Sequence, residues 1–148
     1  MGRRGSILIL EDSDSRIASF QSAVRALGPD WTLHLWHEAP TMIAQCGDLL
    51  VDAALISLDH DLLPRAGAPA DIDPGDGLAV AMHLSKLKPS CPVIIHTSNA
   101  VRRQRMLREL LCSCWKVETV VPGATDWIEQ LWTARLRSLV KWREIPSQ

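Results

Sequence analysis

Three short stretches of this chain are apolar at nearly every position instead of every second one: "SILIL" (Ser6 to Leu10), "AALISL" (Ala53 to Leu58) and "CPVIIH" (Cys91 to His96). A strand with one wet face alternates apolar and polar residues, whereas a strand covered on both faces reads as a continuous apolar run. Such strands need a layer of helices on each side, and the segments between them supply it. "DSDSRIASFQSAVRALGP" sets Ile17, Phe20, Val24 and Leu27 at helical spacing, with Ser13 or Asp14 as cap and Gly28-Pro29 as stop. "WTLHLW" (Trp31 to Trp36) alternates as a strand does, and "APTMIAQCGDLL" has the composition of a short helix.

Downstream the alternation of elements continues. "DGLAVAMHLSKLK" is helical through Leu78, Met82 and Leu87, and "SNAVRRQRMLRELLCSC" starts a helix with Ser98 or Asn99 as cap. "WKVETVVP" is a fifth strand, and "DWIEQLWTARLRSLVKW" a closing amphipathic helix with Asp126 and Glu129 as its capping box. Five strand–helix units in succession predict an α/β, three-layer, doubly wound five-stranded parallel sheet of order 2-1-3-4-5. The length, 148 residues, suits one domain spanning 1–148. Hydrophobic residues at 47%, charged ones at 22% and a formal net charge of -1 predict a globular chain and exclude a duplex-DNA-coating protein.

Cys46, Cys91, Cys112 and Cys114 form no CxxC pair, and Glu11 and Asp12 arrive too early for a signal peptide, so a reducing, cytoplasmic location is expected. Cys112 and Cys114 read as helix-end residues, since no matching Cys/His pair stands elsewhere to complete a metal clip. No apolar run approaches the ~18 residues of a membrane span.

In a sheet of this order the ligand crevice opens at the carboxyl ends of strands 1 and 3. The residues that follow strands 1, 3 and 4 are Glu11 and Asp12, then Asp59, His60 and Asp61, then His96, Thr97, Ser98 and Asn99. Either acidic pair alone would read as a solvated strand end or a helix cap. Two pairs at neighbouring strand ends instead predict converging carboxylates that need a hard divalent cation, Mg²⁺ or another oxygen-preferring ion. The expected cation ligands are Glu11, Asp12, Asp59 and Asp61, the last through its side chain or only its backbone carbonyl. His34, His37 and His83 fall on strand or helix faces and carry no functional expectation.

"ILILED", "LISLD", "GDGL" and "PVIIHTS" resemble the receiver domain of response regulators over nearly the whole chain. That resemblance implies Glu11 and Asp12 as metal ligands, Asp59 as phosphate acceptor and Thr97 as the hydroxyl that reads the phosphoryl group. It also implies a lysine after strand 5, where this chain reads "GATDWIEQLW"; Lys116 stands at the other end of that strand. "DHDL" (Asp59 to Leu62) and "HTSN" (His96 to Asn99) are more similar to a divergent receiver-like group that processes cyclic phosphates, marked by DHDL and HSxN. A hydroxyl of Thr97 or Ser98 then takes the serine role, and Leu63 stands where that group has glycine.

The resemblance implies cyclic-phosphate chemistry, and the residues suit it. Opening a cyclic phosphodiester needs a base, an acid and positive charge on the phosphoryl oxygens. His60 and His96 are the expected acid–base pair with Asp59 beside them, and Thr97, Ser98, Asn99 and the helix they begin are the expected phosphate contacts. Arg102, Arg103, Arg105 and Arg108 read as a solvated face, with Arg102 one turn from the site and able to meet a phosphate. The loop from Leu63 to Gly75 is either a lid or a tolerated insertion.

Expected partners are a phosphate-containing small molecule or an RNA end. The six tryptophans, Trp31, Trp36, Trp115, Trp127, Trp132 and Trp142, read first as core. A Trp127/Trp132/Trp142 surface on the last helix would instead make a protein or homodimer contact. Two other readings of the chain are a phosphoacceptor receiver in a phosphorelay and a degenerate receiver that serves as a scaffold.

Overall fold

A computed structural model describes residues 5–69 and 72–140. Five parallel strands, β1 (Gly5–Leu10), β2 (Trp31–Trp36), β3 (Ala53–Leu58), β4 (Val93–Ile95) and β5 (Val117–Thr119), form one sheet of order β2-β1-β3-β4-β5. β1 and β3 are buried at all six positions, which is why their sequences do not alternate. Register places Leu10 beside both Trp36 and Leu58, and Leu58 beside Ile95. The carboxyl ends of β1, β3 and β4 therefore finish level, and the residues after them share one rim.

Alternate residues of β1 divide the core in two. Ile7 and Ile9 pack with Phe20 and Val24 of α1 (Asp14–Arg25) and Leu136 of α5 (Thr133–Val140). Leu8 and Leu10 pack on the other face with Met42 of α2 (Ala39–Gln45), Leu84 of α3 (Gly77–Leu84) and Met106 of α4 (Ala100–Cys112). The helix starts follow side-chain chemistry: Ser13, Asp76 and Asn99 each accept a hydrogen bond from the backbone N–H three residues on. No helix among the described residues is long and apolar enough to cross a membrane.

Two local expectations are corrected. The Asp126/Glu129 capping box does not form, because the last helix opens with a π-helical turn, Ile128–Trp132, that has no side-chain cap. Thr133 donates its hydroxyl proton to the Ile128 carbonyl and helps hold that wider turn. The turn sends Trp127 and Trp132 inward against Phe20, with ring centroids at 5.9 and 4.6 Å. Both indoles are thus core, not a docking surface, and Trp142 lies outside the described residues. Trp31, Trp36 and Trp115 are buried as expected. Cys112 ends α4 and Cys114 is its left-handed cap at φ 67°, with the Trp115 N–H closing on the Leu110 carbonyl.

Candidate functional site

Glu11 follows β1 directly and is fully buried. Its Oε2 accepts the backbone N–H groups of Asp12 and Ser13 at 2.9 and 3.1 Å, while Oε1 has no hydrogen-bond partner. Asp59, after β3, is 5% exposed and accepts the His60 N–H on Oδ1 at 2.7 Å. His96, after β4, turns Nε2 to within 3.4 Å of Glu11 Oε1. One donor atom from each of Glu11, Asp59 and His96 lies within 4.8 Å of the others, so the three strand ends converge on one point able to hold a metal ion.

The electrostatics of that point are unbalanced. Burial and the neighbouring Glu11 charge push the Asp59 carboxyl up to about 8. Full burial pushes His96 down and keeps it neutral. Burial also works against the Glu11 charge, but the His96 contact and the backbone donors at its other oxygen outweigh it, and Glu11 stays anionic. At neutral pH Asp59 therefore keeps its proton, and a cation bound there would have to displace it.

Between the ordinary carboxylate range and about 8 the unfolded chain ionises Asp59 and the folded one does not, so this group lowers stability as pH rises through that window. Asp59→Asn removes the penalty and is expected to stabilise the cation-free protein at pH 8 by about 1–3 kcal/mol. Urea unfolding in a chelator measures it; equal stability of variant and wild type would contradict the assignment.

Arg16 is the cation that sequence reasoning missed. Its Nη1 lies 3.6 Å from Glu11 Oε1 and 4.0 Å from Asp59 Oδ2, and its guanidinium sits 5.3 Å above the Trp127 ring. The available signal was position: an arginine in the first turn of α1 opposes the helix dipole, so something else holds it there.

His60 is 5% exposed and bracketed by carboxylates. Nδ1 lies 2.8 Å from Asp61 Oδ1, and Nε2, which has no hydrogen-bond partner, lies 3.7 Å from Asp76 Oδ2. Asp76 was read only as part of "GDGL"; besides capping α3 it joins Asp61 in an isolated antiparallel bridge that closes the Asp59–Asp61 turn. Gly77 makes that closure feasible. Its N–H donates to the His60 carbonyl at 3.0 Å, and a Cβ there would lie 1.9 Å from the Asp59 carbonyl oxygen.

The remaining predicted residues spread around this centre. Asp61 is exposed, its carboxyl lowered first by the His60 hydrogen bond, and Asn99 Nδ2 reaches its Oδ2 at 3.4 Å. Asp12 stands at the rim and accepts the Leu63 N–H at 2.7 Å, which ties the start of the long loop to the acidic edge. Burial is the main cause that raises its carboxyl. Arg65 donates to Asp14 and contacts His37, so the loop is also pinned beside β2. Thr97 is buried with Oγ1 accepting the Asn99 N–H, Ser98 is exposed, and Arg102 is an exposed residue of the first turn of α4. Arg103, not Arg102, reaches back to the rim, donating to the Thr97 carbonyl at 2.9 Å.

Similar folds are widespread among solved structures. The response regulator receiver domain from Rhodospirillum rubrum matches with a TM-score of 0.62 at 15% identity, covering 96% of this chain and 95% of that one. The response regulator domain of Thermotoga maritima CheB gives 0.62 at 13% identity, covering 96% and 98%. A CheX-CheY-BeF3-Mg+2 complex from Borrelia burgdorferi gives 0.60 at 11% identity, covering 96% and 90%. No curated protein matches by sequence. Residues 8–111, which run from β1 through most of α4 and contain both "DHDL" and "HTSN", match the cyclic-phosphate processing receiver domain, and the chain belongs to that family.

Proposed function

We propose that the rim binds a phosphate ester beside a divalent cation and hydrolyses it, with a cyclic phosphodiester as substrate. The observation that carries this reading is the meeting of two unlike groups at one crevice. Glu11 and Asp59 form a buried carboxylate pair that cannot hold both charges unaided, and His60 is an imidazole bracketed by Asp61 and Asp76. A phosphoacceptor has no use for the second feature, whereas ester hydrolysis does.

The residues fit a hard cation, since Glu11 Oε1 is a buried carboxylate oxygen without a hydrogen-bond partner. Glu11 and Asp59 would hold it, with Asp12 and Asp61 as further carboxylates of the same rim, and Mg²⁺ bound there would neutralise charge on a phosphoryl oxygen. Arg16 stands where a second positive charge faces the same centre. It supplies the counter-charge that no lysine provides after β5, where residues 120–126 read VVPGATD. The hydroxyls of Thr97 and Ser98, the amide of Asn99 and the amino end of α4 surround the phosphate position, with Arg102 for a more distant phosphate or an RNA end. His60 and His96 serve the phosphoryl centre by proton transfer or hydrogen bonding.

With Mg²⁺ present, the protein is expected to convert nucleoside 2',3'-cyclic phosphates to monoesters faster than it cleaves linear phosphodiesters. Phosphorus NMR follows both reactions, and no conversion of any cyclic phosphate with Mg²⁺ bound would reject the reading. The second reading, a phosphoacceptor, is favoured by the placement of Asp59 after β3 and within 4.0 Å of Arg16. A labile mass increase at Asp59 on incubation with an acyl phosphate would establish it.

A further inference from the structure

We infer that Ser57 and Trp132 are positioning residues that hold the His96 proton on Nε2, making His96 a fixed hydrogen-bond donor to the phosphoryl group, not a metal ligand or a base. The inference rests on the phosphate-ester reading above for its target, but the proton's location stands on the hydrogen bonds alone. Ser57 lies in the middle of the sheet, fully buried, and its Oγ meets two ring nitrogens. Trp132 Nε1 is 2.9 Å away and His96 Nδ1 is 2.7 Å away.

Only one proton arrangement satisfies all three groups. The indole N–H can only donate, so it occupies a lone pair of Ser57 Oγ. If His96 carried its proton on Nδ1, Ser57 would accept twice, and no other partner for its own proton is found among the described residues. A buried hydroxyl without an acceptor is costly. With the proton on Nε2, the chain runs in one direction, Trp132 N–H to Ser57 Oγ and Ser57 O–H to His96 Nδ1, and it leaves the His96 Nε2–H without a hydrogen-bond partner, 3.4 Å from Glu11 Oε1. Phe20 and Trp127, with centroids 5.1 and 5.8 Å from the imidazole, fix the plane of the ring. The π turn that brings Trp132 inward is thus part of the site.

This arrangement separates the two histidines. His60 Nδ1 faces Asp61, an ionised carboxylate that only accepts, so the His60 proton is on Nδ1 and the lone pair on Nε2. Nε2 of His60 is therefore the accepting nitrogen, without a hydrogen-bond partner and 3.7 Å from Asp76 Oδ2. A neutral His96 that gave up its Nε2 proton would be left as imidazolate, so it holds the proton and donates only a hydrogen bond. With no lone pair on Nε2, the cation pocket offers oxygens alone, which selects Mg²⁺-like ions over nitrogen-preferring metals.

Nitrogen-15 NMR of histidine-labelled protein at pH 7 tests the assignment. The expected result is His96 with Nε2 protonated and Nδ1 bare, unchanged on adding Mg²⁺. Ser57→Ala should let the Nδ1–H form appear, because the hydroxyl that donates to Nδ1 is then gone. His96→Gln, whose amide N–H replaces Nε2–H without titrating, should keep turnover of a nucleoside 2',3'-cyclic phosphate within about tenfold with the pH profile unmoved, while His96→Ala loses about 10²–10³-fold. A proton on Nδ1, protons on both nitrogens, or loss of the Nε2–H signal on adding Mg²⁺ would overturn it, whether or not the folding of a variant obscures the rest. An Nε2–H signal without turnover of any cyclic phosphate would uphold the proton's place and reject the hydrolytic reading instead.

Discussion

His60→Ala is expected to lower the turnover of a cyclic phosphodiester by about 10²–10⁴-fold, the usual worth of a positioned general base. Mg²⁺ affinity should stay near the wild-type value, since His60 is not among the three residues whose donor atoms converge. The basis is the bracket around the ring: Asp61 fixes Nδ1 at 2.8 Å, and Nε2 is left without a hydrogen-bond partner, 3.7 Å from Asp76. Asp61→Asn should reproduce part of the loss, because an amide can present its N–H to Nδ1 and reverse the tautomer. Steady-state kinetics and calorimetric Mg²⁺ titration on the same preparations make the check. Wild-type turnover in His60→Ala, or a parallel loss of Mg²⁺ binding, would remove the base assignment.

Gly77→Ala is expected to be the most destabilising single-methyl change in the site, at about 3 kcal/mol. A Cβ at 1.9 Å from the Asp59 carbonyl oxygen, 2.8 Å from its carbonyl carbon and 2.9 Å from the His60 Cα meets backbone on all sides. No rotamer change relieves such a contact. Either α3 moves away, breaking the Gly77 N–H bond to the His60 carbonyl, or the Asp59–Asp61 turn moves and takes the Asp59 and His60 side chains with it. Urea unfolding should show the lost stability, and turnover should fall even where the variant stays folded. An alanine variant of wild-type stability and activity would mean that the turn is not held by α3.

The sheet order was legible because burial writes itself into sequence: β1 and β3 are apolar on both faces, and only a doubly covered parallel sheet accepts such strands. The rim was legible for the same reason, since every residue immediately after such a strand must lie at the carboxyl edge. Partners contributed by helices were not. Arg16 and Asp76 belong to the starts of α1 and α3, where charged residues are ordinarily read as solvent-facing or capping. Trp132 reaches Ser57 only because a π turn re-aims it, and a pattern with a period of 3.6 residues does not contain that turn. Gly77 was visible only as part of "GDGL" at the start of a helical stretch. Its requirement comes from the approach of backbone distant in sequence, not from its own dihedral angles.

Calorimetric titration with Mg²⁺ across pH tests whether the three strand ends form a cation-supported phosphate site. Because the Asp59 carboxyl is raised to about 8, a bound cation must displace its proton. The expected result is proton release on binding, an affinity that falls roughly tenfold per pH unit below 8, and loss of binding in Asp59→Asn. Binding that is independent of pH and survives that substitution would contradict it, as would no binding at pH 8.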